Sequence, residues 1–393
     1  MSENSPPEKA VSSLPFQLGA ITLTRTLIYT GHRMVYPFLP VLARGMGVTL
    51  EMAALAVTIR SALGMLGPLL GSLGDIRGRK WALRLGLGLI AGGTVLVGLL
   101  PSYAAFLVGS MFFGLGIVIF DPTVQAYVGD QVPYRRRATA MAVIEIGWSA
   151  AFLVGIPLVG RVLSGSGWSV PFLWLGGILF LALFLIQAVL PPSPAAAGPR
   201  PRLREGLLQV LRHRSSLASV GVSFLMITGS RSIMIVYGAW FENAFGMSAR
   251  VLGDVSSVIG VAGVVGLVVV GLVSDRLGKK RSLALGLGLN LAAALLLPWL
   301  AGSAAATVSD LFLYYLTFEF TLVTALSLVS ELQPEVRATL MAFHAAAISA
   351  GDALGSFLGP LIFRGSIAPN SALAVGLNAL ALVLLLAWVR VED

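Results

Sequence analysis

The chain has 393 residues, 56% of them hydrophobic and 11% charged, against roughly 25% charged in a soluble domain, which excludes water as its main solvent. Forty-five glycines and 20 prolines without a Gly-X-Y period place glycine inside apolar segments, as in packed membrane helices, and the absence of cysteine excludes disulfides, thiolate catalysis and Cys-based metal sites. A net charge of +9 would suit nucleic acid if it were clustered, but it follows the loops described below, so no nucleic-acid partner is expected.

A helix crossing the hydrocarbon core needs roughly 20 apolar residues. The hydropathy pattern predicts twelve such spans, at 16-43, 50-74, 80-100, 104-130, 137-163, 169-191, 215-245, 249-274, 280-300, 304-330, 338-363 and 370-390. Residues 1-15 are polar and read as a cytoplasmic tail; span 1 is long and carries Arg25 and Arg33, so it is taken as a retained helix and not a cleaved signal peptide. At 3.6 residues per turn Arg25, Tyr29, His32, Arg33 and Tyr36 fall within an arc of about 100°, one polar stripe facing inward. Span 2 carries Arg60. Span 4 carries Asp121 and Gln125, with Asp130 at its inner end, and span 5 carries Glu145 and Trp148. The Pro/Ala/Arg-rich segment 192-214 reads as a cytoplasmic linker between the units 16-191 and 215-390. Arg231 and Glu242 then pair on span 7, Tyr315 and Glu319 on span 10, and His344 and Asp352 on span 11. Ionisable groups at bilayer depth are costly and default to a cavity or a proton path, so these residues form the candidate substrate and proton cavity. Structural ion pairing, of Arg25 with Asp121 or Glu145 and of Arg60 and Arg231 with unnamed partners, stays open beside that reading.

Other charges have simpler readings. Arg44, Arg161, Arg250 and Arg364 reach headgroups with their alkyl stems. Glu51, Asp254 and Asp310 sit near the starts of spans 2, 8 and 10, where a negative side chain suits the helix dipole.

With the N-terminus placed inside, those four arginines are the only Lys or Arg outside; Arg25, Arg33, Arg60 and Arg231 lie within spans and the other nineteen of 27 fall inside. That asymmetry predicts both termini cytoplasmic. The chain also repeats itself at an offset of 200 residues: Gly71, Asp75, Gly78 and Lys80 align with Gly271, Asp275, Gly278 and Lys280, and Arg137-Ala138-Thr139 with Arg337-Ala338-Thr339. Two six-span halves follow.

The repeated loop Gly71-Ser-Leu-Gly-Asp75-Ile-Arg77-Gly78-Arg79-Lys80 resembles the signature loop of the major facilitator superfamily, Gly-x-x-x-Asp-Arg-x-Gly-Arg-Arg, and Gly271-Leu-Val-Ser-Asp275-Arg276-Leu-Gly278-Lys279-Lys280 fits it better. In the first copy Ile76 replaces the expected arginine, and Arg77 comes one position late. The resemblance implies an all-α integral membrane fold of two pseudo-symmetric six-helix bundles. It also implies a cavity lined by spans 1, 4, 7 and 10 with parts of 2, 5, 8 and 11, and alternating access gated at the two loops. In that gate Asp75 is expected against the positive end of span 11, Asp275 against that of span 5, and Asp130 on the basic residues of the first loop. Span 5, reading Gly147 … Gly155-Ile-Pro157-Leu-Val-Gly160, is similar to the antiporter motif of exporters, except that Ile156 separates a Gly and a Pro that normally adjoin. The arginine that exporters often carry in span 4 is Ser110 here.

Gly86-Leu-Gly88 lacks the strand-turn-helix setting of a dinucleotide fingerprint, no Walker A sequence occurs, and His32, His213 and His344 are too scattered for a metal site. No enzyme and no cofactor is expected, only a proton as coupling ion. The expected function is a monomeric secondary transporter in the bacterial inner membrane, exporting small organic or amphipathic molecules, with the small solute and the bilayer as partners. The alternatives are uptake of an anionic metabolite, indicated if Arg25, Arg33 and Arg231 all face the cavity unpaired, a lipid or lysolipid flippase, and a receptor that binds without flux. Glu145, Asp121 and Glu319 are the candidates for proton coupling, in that order.

Overall fold

The computed structural model describes residues 13–71, 73–133, 136–191 and 209–390, leaving the tail, most of the linker and the side chains of Ala138, Asp275 and Pro334 outside the description. All regular structure among the described residues is helical. Ten helical stretches there are long and apolar enough to cross a membrane, each within a few residues of an expected span. Expected spans 1 and 9 are helical too. The first is interrupted and diluted by Arg25 and Arg33, and the second, Lys279–Leu296, spends its first turn on Lys279, Lys280 and Arg281.

Span 1 comprises α1 (Leu14–Arg33) and α2 (Val35–Met46), with the break at Met34. Pro37 has no N–H to give the Arg33 carbonyl, and Pro40 none for Tyr36, so the ladder lapses there. The next elements are α3 (Leu50–Leu63), α4 (Gly67–Leu70), α5 (Leu73–Arg77), α6 (Arg79–Leu99) and α7 (Tyr103–Gln131). Expected span 5 is α8 (Arg137–Ala150), a π-turn at Ala151–Gly155 and α9 (Ile156–Gly165). One extra residue in a helix is absorbed as such a wide turn, and the turn ends immediately before Ile156, the residue that parts Gly155 from Pro157. α10 (Val170–Val189) closes the first half of the chain.

The second half runs α11 (Arg214–Met234), α12 (Tyr237–Phe245), α13 (Ala249–Leu277), α14 (Lys279–Leu296), α15 (Ala304–Leu332), α16 (Arg337–Ile362) and α17 (Ala368–Trp388). Expected span 7 is broken like span 1, between Met234 and Tyr237, 201 residues after the break at Arg33 and Met34. The repeat recurs in backbone chemistry. Thr49 and Ser248 accept from the N–H groups of Met52 and Val251, and Ser102 and Ser303 from those of Ala105 and Ala306, each capping a helix start. Gly78 and Gly278 both take φ near +80° to +90°, which side chains disfavour, at the turn after Asp75 and Asp275.

The halves meet along α3 and α16 and again at the end opposite the linker. There α2 packs on α12 and α9 on α13, closely enough that a Cβ on Gly238 would lie 2.1 Å from the Pro37 carbonyl oxygen and one on Gly160 2.7 Å from that of Ala249. Two ion pairs bridge the same contact: Arg44 to Glu242 at 2.7 Å and Arg161 to Asp254 at 3.4 Å. Arg44 and Arg161 are therefore not free headgroup anchors, and Asp254 is more than a dipole partner, since Ser248 caps α13.

Both pairs are part-exposed, so each contributes at most about 1 kcal/mol, and a sum of about 1–2 kcal/mol corresponds to roughly a five- to thirtyfold change in opening. With Ile235→Cys as a thiol reporter in an otherwise cysteine-free chain, Arg44→Glu together with Arg161→Glu should raise maleimide labelling about tenfold. Adding Glu242→Arg and Asp254→Arg should restore protection; equal labelling in all three proteins would show that these charges do not hold the halves together.

Candidate functional site

The polar stripe on α1 meets α7 and α8 in one network. The Arg25 Nη1 donates to Glu145 Oε1 at 2.8 Å and its Nη2 to the Tyr29 hydroxyl at 2.8 Å, and that hydroxyl donates onward to Asp121 Oδ2 at 2.8 Å. Arg25 Nε also stands 3.8 Å from Asp121 Oδ1. Of the sequence's two candidate partners for Arg25, the structure brings in both. They differ in access: the Glu145 side chain is 48% exposed and that of Asp121 22%, while Arg25 is buried. Gln125, one turn along α7, is exposed.

A second cluster lies at the break of span 1. The guanidinium carbons of Arg33, Arg60 and Arg231 stand 5.7, 5.9 and 5.7 Å from the centre of the Tyr36 ring. Arg33 also covers the Trp148 ring at 4.1 Å, and Trp148 meets Tyr29 edge-on at 5.2 Å, joining the two clusters. His32 stacks on Phe113, with ring centres 6.2 Å apart. Arg231 pairs with Asp352 at 2.7 Å, and Ser61 from the other half donates to the same carboxylate at 3.2 Å. Tyr315 is buried among Tyr314 and Phe318, and Glu319 stands where α15 packs on Gly263 and Gly266 of α13.

Three expectations need correction. Glu242 does not join Arg231 in the second cluster: it pairs with Arg44 across the halves, because the break in span 7 separates the two residues onto α11 and α12. His344 is buried against α11, where its Nε2 shares a hydrogen bond of 2.8 Å with Ser223, away from both clusters. Asp310 is not a helix-start partner: Ser303 caps α15, while Asp310 is 2% exposed with neither carboxylate oxygen hydrogen-bonded.

A family model described as Major Facilitator Superfamily matches residues 21–356, with a further match over 220–393. The chain belongs to the major facilitator superfamily. The MFS-type transporter YwfA of Bacillus subtilis, itself uncharacterized, is 28% identical over 373 residues, 93% of this chain and 90% of that one. The multidrug resistance protein MdtG of Enterobacter lignolyticus is 29% identical over 266 residues, 64% of this chain and 62% of that one. A crystal structure of a D-xylose-proton symporter matches in fold, with TM-score 0.77, 16% identity and coverage of 96% and 98%. The chain is thus a multi-pass membrane transporter of the secondary class.

In this superfamily member the signature loop is self-contained. Arg79 binds Asp75 at 2.6 Å and Asp130 at 3.0 Å, all within the first half, so in this conformation Asp75 is held by its own loop and not by the start of α16. Arg77 lies over the Trp81 ring at 4.8 Å, leaving Asp75 to Arg79, which accounts for the shifted arginine. In the second copy Lys279 pairs with Glu331 as Arg79 does with Asp130; Arg276 and Gly271 are exposed, and Asp275 lies outside the described side chains. Glu331 escaped the sequence comparison because α15 runs at an offset of 201 and the loop at 200.

Arg25→Gln would leave Asp121 and Glu145 without their shared cation. Losing one partner of a buried pair costs 3–5 kcal/mol, and the exposure of Glu145 reduces this to about 2–3 kcal/mol here. Thermal melting in detergent should show that loss, and Arg25→Gln with Glu145→Gln should recover part of it; a double variant as unstable as the sum of its singles would mean the two residues are uncoupled.

Proposed function

We propose that the protein is a proton-coupled exporter of small organic or amphipathic molecules. In this reading it works by alternating access as a monomer in the bacterial inner membrane, with twelve spans, two six-span bundles, both termini cytoplasmic and no cofactor besides the coupling proton. The observation that carries the reading is the Arg25 network, in which one permanent cation is shared by two carboxylates of unequal access.

Arginine keeps its charge at any physiological pH, so proton exchange falls to the acids. Protonation of Glu145, the exposed partner, releases it from Arg25, whose charge is then held by Asp121 directly and through Tyr29. Deprotonation restores the pair. Such a site carries a proton only if its two states favour different arrangements of the halves, and α8, which bears Glu145, continues through the π-turn into α9 at the contact between the halves. In this reading substrate binds beside Tyr36, Trp148, Tyr315 and Glu319 once the halves rearrange. The signature loops break and re-form their contacts at the linker end.

Export is supported by the resemblance of span 5 to the antiporter motif and by the likeness to MdtG; the packing of Gly147 on Arg25 and Thr22 and of Gly160 on α13 suits either direction. Uptake of an anionic metabolite is favoured where Arg25, Arg33 and Arg231 all stand unpaired, and two of the three have carboxylate partners.

Purified protein in liposomes, loaded with a fluorescent organic dye and given an imposed proton gradient, tests this. Wild type should move dye only with the gradient in the antiport sense. Glu145→Gln should lose gradient-driven flux at least tenfold while retaining dye-for-dye exchange. Full gradient-driven flux in the variant would remove Glu145 from coupling, and flux with the opposite gradient would reverse the direction.

A further inference from the structure

The Arg25 network balances its cation, and Arg231 is matched by Asp352, but the remaining two buried arginines are not matched. Arg33 is 4% exposed and Arg60 5%. Among the described residues neither has a carboxylate oxygen within the 4.0 Å of an ion pair. Among the described residues the Arg33 side chain hydrogen-bonds only the Met234 sulfur, at 4.0 Å, and its Nε is buried without a partner, as are the Nε and Nη2 of Arg60. The Tyr36 hydroxyl and the His32 Nδ1 beside them are buried and unpartnered too. A buried cation without a counter-charge is costly and is retained where function uses it. Glu319 offsets this charge only from beyond ion-pair range.

We propose that Arg33 and Arg60, converging on Tyr36 at the break of span 1, form a recognition site for one anionic group, a carboxylate or phosphate monoester carried on an aromatic or alkyl body. Arg33 spends the face of its guanidinium on Trp148 and one edge donor, Nη1, on the Met234 sulfur, which leaves its other in-plane donors, the buried Nε among them, for the two oxygens of such a group. Arg60 presents two further free donors, and the Tyr36 hydroxyl a third polar group. The body of the ligand would lie along Trp148 and Phe113, which are already packed on Arg33 and Arg60. Arg231 adds charge to the site but keeps Asp352, so the site takes one anionic group and not a bare string of anions. The inference rests on the transporter reading only in that the occupant is then cargo; the binding itself requires neither flux nor a direction.

The test is therefore binding, in dodecyl maltoside and phosphate-free buffer without any gradient. Melting temperature is followed against benzoate and phenyl phosphate, and against benzamide and benzylamine as neutral and cationic matches. The anions should give saturable upward shifts with apparent affinity at least tenfold above that for benzamide, and benzylamine should give none. Dodecyl phosphate binding tighter than phenyl phosphate would keep the headgroup chemistry and assign the body to a lipid. Arg33→Gln and Arg60→Gln should each abolish the anion response, while their ligand-free melting temperatures hold or rise, since each variant removes an unmatched charge. Arg60→Lys, which keeps the charge and loses the fork, should respond at least threefold more weakly than wild type. Equal responses to benzoate and benzamide in wild type alone would overturn the proposal, as would an anion response surviving in both glutamine variants. Loss of proton-driven flux in Glu145→Gln would leave these results untouched, so the two readings fail separately.

Discussion

A guanidinium cannot shed its proton, and a membrane interior offers it no water, so each arginine at bilayer depth must be answered by something with negative charge or electron density. Arg25, Arg33, Arg60 and Arg231 set this constraint on the whole interior. Arg25 is met by two carboxylates and a tyrosine, Arg231 by one carboxylate, and Arg33 by the face of Trp148. Every solution reaches a helix other than the arginine's own, so the arginines tie α1 to α7 and α8, and α11 to α16. Asp352, reached by Arg231 from within its own half and by Ser61 from the other, extends this matching across the interface.

The second constraint is backbone hydrogen bonding. A helix interrupted in lipid leaves carbonyls unsatisfied, and such breaks are tolerated only inside protein or beside a cavity. Spans 1 and 7 both break, at residues 201 apart, and the breaks meet: Arg33 Nη1 approaches Met234, and Gly238 admits the Pro37 carbonyl. A larger residue than glycine at 238 would push α12 off α2, where Arg44 and Glu242 pair. The contact that closes the end opposite the linker is thus built on the elements that carry the arginine cluster.

How much of this was legible follows from the range of each signal. Span positions depend on local hydropathy, and every expected span is helical, including the two whose charges lower their mean hydropathy. The loop at Asp75 and its copy at Asp275 could be found because motif and offset coincide. Glu331 could not, because one extra residue shifts α15 against the loop. The arc of Arg25, Tyr29 and Arg33 is a property of one helix and is preserved, but which carboxylate answers which arginine depends on how helices from distant parts of the chain are laid together. That is why Glu242, on the same face as Arg231 in a one-helix reading, goes to Arg44, while Arg231 is answered by Asp352, more than a hundred residues on. Asp310 was misassigned for a simpler reason. The capping position lay seven residues earlier, at Ser303, and a carboxylate in the second turn is already too far along the helix to serve its end.

The connection between the two clusters gives the chemistry a physical route. Arg25, Tyr29 and Arg33 stand at successive four-residue steps on α1, and Trp148 from α8 touches both Tyr29 and Arg33. Glu145 sits on α8 three residues before Trp148. If Glu145 leaves Arg25, as the proposed coupling requires, the helix bearing it is freed at one point of contact with α1 and still held at others, by the indole between Tyr29 and Arg33 and by Gly147 seated on Arg25 and Thr22. A small rotation of α8 about those contacts therefore changes the surroundings of the Arg33 guanidinium without any separate messenger. Coupling carried by packed groups with two discrete arrangements needs such contiguity. The π-turn at Ala151–Gly155, one turn beyond Trp148, is where a rotation of α8 can be taken up before it reaches α9 and the contact with α13.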